Sequence, residues 1–130
     1  MSIGILLLPH TGLGHALLGA ARSVVGNLPL PTASVEFANN DDPAAYAYRA
    51  AKAMRDLDQG RGVLLLTDLY GSTPSNVAAQ IGQQGTHTRR VSGVNLPMLL
   101  RVLNYPEQSL DEMTGTAASG ARSGVVVDSA

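Results

Sequence analysis

Apolar runs and helix-period segments alternate along the chain. Ile3 to Leu8 is apolar throughout and reads as a strand buried on both faces, as in a parallel sheet. Leu17, Leu18, Ala21 and Val25 follow at helical spacing, which predicts a helix over Leu13–Val25 stopped by Gly26 and Asn27. Ala33–Phe37 is a second strand candidate with a weaker apolar pattern. Asp41, Asp42 and Pro43 supply a carboxylate cap and a first-turn proline for a helix running to about Asp58. Val63–Thr67 repeats the pattern of the first run. Pro74 opens a helix to about Gln84, Arg90–Asn95 is a fourth strand, and Pro97 opens a further helix. A final helix is expected from Pro106 to about Ala118, and Val125–Val127 could add a short last strand.

Strands alternating with helices of about 10–17 residues imply βαβ units, hence a doubly wound α/β fold with a mainly parallel sheet and helices on both faces. In such sheets functional loops gather where strands end. The segments there are Pro9-His10-Thr11-Gly12, Asp68 to Thr73, and Asn95-Leu96-Pro97.

Composition narrows the chemistry. The chain has 130 residues, enough for one domain over 1–130, and 45% of them are apolar. With 4% aromatics and no Trp, the core must be aliphatic. Nine basic and ten acidic residues are spread without a basic stripe, which argues against nucleic acid. The absence of Cys removes disulfides, thiolate catalysis and thiolate metal sites. The first apolar run is far short of the roughly 18 residues of a membrane span and lacks the pattern of a secretory signal. A cytoplasmic protein that does not insert into membranes is the expectation, and no metal or cofactor site is expected.

His10 is the candidate nucleophile. It stands just past a buried strand, held by a rigid element yet open to a partner, and neutral imidazole attacks phosphorus well. One ring nitrogen should then carry a proton and be anchored, usually by a carboxylate. Asp68, at the end of the other strongly apolar strand, can supply it, although a turn residue before Pro74 would look the same in sequence. Gly71-Ser72-Thr73-Pro74 offers flexible backbone, two hydroxyls and a helix N-terminus, all suited to an anion. Thr11, Gly71, Ser72 and Thr73 are thus the candidate phosphate-binding residues, although Ser72 and Thr73 are equally good helix caps. His15 and His87 fall in a helix and a polar loop. Gly12-Leu-Gly14 is a weak dinucleotide signal because Leu17 replaces the third small residue; no Walker lysine follows either glycine loop, and Gly71-Ser72 does not form a nucleophile elbow.

These residues resemble the enzyme IIA domain of the mannose family of the bacterial phosphoenolpyruvate:sugar phosphotransferase system. The similarity rests on a first strand ending at His10, on Asp68-Leu-Tyr-Gly-Ser-Thr-Pro-Ser-Asn76, and on Gly93-Val-Asn-Leu-Pro-Met-Leu99. It implies a four-stranded parallel sheet with a fifth, antiparallel strand, here Val125–Val127, exchanged between the subunits of a homodimer. It also implies that His10 takes a phosphoryl group on Nε2 from the phosphocarrier HPr, with Asp68 on Nδ1 and the Ser72 loop holding the phosphate. Asn95, Leu96, Pro97 and Met98 would line the pocket and the dimer contact. Where the family often has Gly-Gly-Ser-Pro, this chain has Gly71-Ser72-Thr73-Pro74, which brings Thr73 into the role implied for Ser72.

Three destinations for the phosphoryl group stay open at this point. It could pass to a IIB protein, separate because the chain ends with the IIA unit, for carbohydrate uptake. It could serve as a signal read by a regulatory partner. The related phosphotransfer subunit of dihydroxyacetone kinase is a third reading, against which Gly93-Val-Asn-Leu-Pro97 argues.

Overall fold

A computed structural model describes residues 1–129. They form β1 (Gly4–Leu8), α1 (Leu13–Val25), β2 (Thr32–Ser34), α2 (Pro43–Leu57), β3 (Val63–Thr67), α3 (Thr73–Ile81), β4 (Thr88–Ser92), α4 (Leu96–Leu103) and α5 (Leu110–Ser123). The four strands make one sheet in the order β2-β1-β3-β4, every pair parallel.

The period-2 alternation of the two central strands separates two cores. Ile3, Ile5, Leu7, Leu64 and Leu66 pack with α1, α4 and α5 through Leu17, Leu18, Met98, Leu99, Met113 and Ala117. Leu6, Leu8, Val63 and Leu65 pack on the other face against Tyr46, Ala50 and Met54 of α2 and Val77, Ala78 and Ile81 of α3. All ten residues of β1 and β3 are buried, which is why their sequence runs are apolar up to Thr67, whose hydroxyl donates to that of Ser92.

The chain leaves β1 through α1 on one face to reach β2, and returns through α2 on the other face to reach β3. The connections therefore diverge between β1 and β3, opening a crevice beyond their carboxyl ends. The register pairs Leu8 with Thr67, so the segments carrying His10 and Asp68 emerge side by side.

Several boundaries differ from expectation. β2 ends at Ser34, although Val35 and Phe37 still donate to the carbonyls of Leu7 and Pro9 and His10 bridges Phe37. β4 starts at Thr88 and ends before Gly93, and α3 ends at Ile81 rather than Gln84. The last helix starts at Leu110 because Ser109 and Glu112 form a reciprocal capping box, and it runs to Ser123. Val125–Val127 lies outside any strand in this single chain, with all three valines exposed.

Candidate active site

His10 and Asp68 meet in the crevice. Asp68 Oδ2 accepts from the His10 backbone N–H at 2.9 Å, and Nδ1 of the ring lies 2.9 Å from Oδ2 and 3.1 Å from Oδ1. A carboxylate can only accept, so Nδ1 carries the proton and Nε2 keeps its lone pair. The His10 side chain is 40% exposed and that of Asp68 12%. The imidazole thus faces solvent while the carboxylate beside it is sheltered. The structure thus brings together the two residues that the sequence reading paired.

The far wall comes from the segment after β2. The Phe37 ring meets His10 edge-on at 6.4 Å and Tyr46 at 5.1 Å. The Tyr46 hydroxyl, whose pKa is pushed up by burial, donates to the Val35 carbonyl at 2.7 Å and fixes this segment to α2. His10, Thr11, Phe37, Ala38 and Asn39 line an open hollow of about 410 Å³. Thr11 directs both its N–H (3.1 Å) and its hydroxyl (3.2 Å) to the Phe37 carbonyl, so its side chain ties the wall to the segment that carries His10.

Sequence reasoning missed Glu36. The N-cap of α1 is Gly12, at φ 91° and without a side chain to cap the helix. Glu36 does this from the segment after β2, accepting from the N–H groups of Gly12 and His15 at 2.9 Å each. Partial desolvation would raise its pKa, but those two N–H groups and the nearby His15 outweigh that and hold the carboxyl below the ordinary glutamate value. The α1 N-terminus beside His10 is consequently filled by a resident anion. No local pattern reveals this, since the partners are 21 and 24 residues apart.

The remaining candidates divide by what they touch. The Asp68–Thr73 loop turns at Gly71, at φ 85°, and Ser72 closes it by donating from N–H (3.3 Å) and hydroxyl (2.7 Å) to the Leu69 carbonyl. Ser72 also caps α3 by accepting from Ser75. Thr73, the first helical residue, makes no hydrogen bond through its N–H or hydroxyl among the described residues. Asn95 caps α4, accepting from Met98 N–H at 2.8 Å and donating to the Ala121 carbonyl at 3.3 Å. Met98 is in the core, and Leu96 and Pro97 are half-buried. Their local duty is to join α4 to α5 and the sheet. Among the described residues there is no group of three or more potential metal ligands, and no helix is long and apolar enough to cross a membrane.

Comparison with known proteins gives a consistent result. The family model EIIA-man, described as PTS system fructose IIA component, matches residues 4–117. The PTS system mannose-specific EIIAB component of Escherichia coli K12 is 28% identical over 127 residues, 96% of this chain and 39% of that protein. The PTS system fructose-specific EIIA component of Bacillus subtilis is 39% identical over 56 residues, 43% of this chain and 38% of the relative. The chain thus spans under two fifths of the length of these curated relatives. Among solved structures, the mannose/sorbose specific IIA subunit of the phosphotransferase system from Enterococcus faecalis superposes with a TM-score of 0.90 at 25% identity, covering 100% of this chain and 97% of that one. The component EIIA from Streptococcus agalactiae shares the fold, with a TM-score of 0.84 at 20% identity over 96% of each chain.

Proposed function

The chain belongs to the EIIA-man family of phosphotransferase-system components, and from that membership we propose that Nε2 of His10 accepts a phosphoryl group from HPr and passes it to a IIB protein in carbohydrate uptake. The observation that carries this reading is the Asp68 carboxylate 2.9 Å from Nδ1, which leaves Nε2 as the basic nitrogen on the half-open side of the ring.

In the transfer, the Nε2 lone pair forms the new N–P bond as the N–P bond of the donor phosphohistidine breaks and its electron pair returns to the donor ring. His10 becomes cationic, and Asp68 balances that charge without taking the Nδ1 proton. The transition state is loose, with charge on three equatorial oxygens, so positioned donors matter more than covalent assistance. The N–H and hydroxyl of Thr73, at the positive end of α3, suit those oxygens. Ser72 serves the same oxygens indirectly, by shaping the turn. Onward transfer to IIB repeats the step in reverse, with the IIB histidine attacking phosphorus. This chemistry belongs in the cytoplasm, where phosphoenolpyruvate and HPr are found.

The test is incubation with phosphoenolpyruvate, enzyme I and HPr, followed by intact-mass measurement. A gain of about 80 Da that disappears in His10→Ala is expected for one phosphoryl adduct. No gain, or a gain that survives the substitution, overturns the proposal.

The same reading includes a homodimer. β4 is an edge strand, and beside it Val91, Ser92, Gly93, Met98, Ala121 and Val125 line a groove. An edge with unpaired N–H and C=O groups is a template for another strand. Val125–Val127 of a second copy, β-branched and exposed, fits it. Sedimentation should show a dimer for the full chain and a monomer after truncation at Gly124; a truncated chain that stays dimeric would refute the exchange.

A further inference from the structure

Tyr70 stands at the apex of the loop between Asp68 and Ser72 and is 75% exposed, next to Leu69 at 62%. An aromatic side chain so placed would ordinarily sample several rotamers. Here Arg90 reaches it from β4. The Arg90 guanidinium lies 5.4 Å from the Tyr70 ring centroid, within cation–π range. Its Nη1 donates to the Ser75 carbonyl at 2.8 Å and approaches the Ser75 hydroxyl at 3.4 Å. One side chain thereby joins the edge strand, the first turn of α3 and the loop that carries Asp68. Arg90 is paired in register with the buried Leu65, so the clamp is rooted in the sheet.

A gain in helix stability does not explain this placement. A cation at the N-terminal turn of α3 opposes the helix dipole. The shape of the group does explain it: the guanidinium donates through Nη1 to Ser75 while its central carbon lies over the Tyr70 ring, and a rigid fork makes this two-sided contact with less loss of freedom than a flexible ammonium. We propose that Arg90 is a positioning residue that pre-sets Tyr70 as a contact for the protein delivering the phosphoryl group to His10. This rests on the phosphotransfer reading above and adds a determinant of donor affinity to it. Ordering Tyr70 before encounter removes an entropic cost from docking, so the effect falls on association with the donor and leaves the chemical step alone.

The experiment is single-turnover phosphorylation of the full chain at varied excess phospho-HPr, with the half-saturating phospho-HPr concentration taken as KM and the limiting rate as kcat, comparing wild type with Arg90→Ala, Arg90→Lys, Tyr70→Ala and the Arg90→Ala/Tyr70→Ala pair. Arg90→Ala and Arg90→Lys should each raise KM about two- to fivefold, the scale of an exposed cation–π contact, with kcat unchanged. The double variant should be no worse than Tyr70→Ala alone, as expected when one residue acts through the other. Backbone order parameters of Leu69–Ser72 should fall in Arg90→Ala. A Lys variant equal to wild type, multiplicative effects of the two alanines, or a loss confined to kcat would overturn the proposal, as would unchanged order parameters. If wild type takes no phosphoryl group, the phosphotransfer reading fails and this inference with it, an outcome distinct from a wild type that reacts while the Arg90 variants match it.

Discussion

Asp68→Asn separates the charge of the anchor from its shape. The amide is isosteric, and its oxygen at the Oδ2 position could still accept from the His10 backbone N–H, now 2.9 Å away. Its NH2 would then face Nδ1 from the Oδ1 position, now 3.1 Å away, and would favour the tautomer with the proton on Nε2. The larger loss is charge. Opposite unit charges about 4 Å apart attract by about 4 kcal/mol at an effective dielectric constant of about 20. With the ring 40% exposed, solvent screening brings this to about 2 kcal/mol, which corresponds to about a 30-fold lower phosphorylation rate. Rapid-quench phosphorylation by excess phospho-HPr, read by intact mass, measures that rate directly. A melting curve beside it should show a fold destabilised by less than about 1 kcal/mol, since the backbone hydrogen bond survives. A rate within threefold of wild type, in a protein whose His10→Ala variant is inert, would reduce Asp68 to a loop residue and remove the carboxylate from the mechanism.

Other perturbations isolate the supports of the site. Glu36→Gln should cost about 1 kcal/mol at neutral pH by weakening the cap on α1. Because the folded state holds the Glu36 carboxyl below its ordinary value, that stabilisation is complete above the normal glutamate range and is lost as pH falls through the lowered folded value; thermal melts of the variant should therefore lose less stability on acidification, and parallel curves would contradict the assignment. Ser72→Ala should lower stability by about 1 kcal/mol through the lost α3 cap, whereas Thr73→Val should leave the melting temperature unchanged and slow phosphorylation; the reverse pattern in paired melts and rate assays would return the phosphate role to Ser72. Tyr46→Phe strands the Val35 carbonyl and should cost about 1–2 kcal/mol in denaturant titrations, with a smaller value meaning that water replaces the hydroxyl.

What the sequence disclosed follows the physics of burial. β1 and β3 lie between two helical layers, so their apolar runs are unbroken and their ends locate His10 and Asp68. Gly12 and Gly26 bound α1 where the sequence pattern places them. β2 is half-buried and short, and its pairing with β1 continues by hydrogen bonds past its last strand residue, so no alternation marks its end. Pro106 suggested a helix start three residues before the Ser109 cap because proline is acceptable both in a first turn and just ahead of one. Glu36 and Arg90 were invisible for a different reason. Each acts on an element distant in sequence, and neither carries a local signature of that action. Asn95 and Met98 show the converse, conspicuous residues whose contacts within this chain are a helix cap and the core.

If His10 accepts the phosphoryl group as proposed, the parallel register of β1 and β3 makes it a clock. His10 and Asp68 are 58 residues apart, and the helices between them lie on opposite faces of the sheet. Neither hairpin closure nor any single βαβ fragment before β3 docks can bring them together. A refolding chain should therefore become competent to accept phosphate only when the two central strands have paired, and sampling that competence with time would report the assembly of the middle of the sheet without any engineered probe.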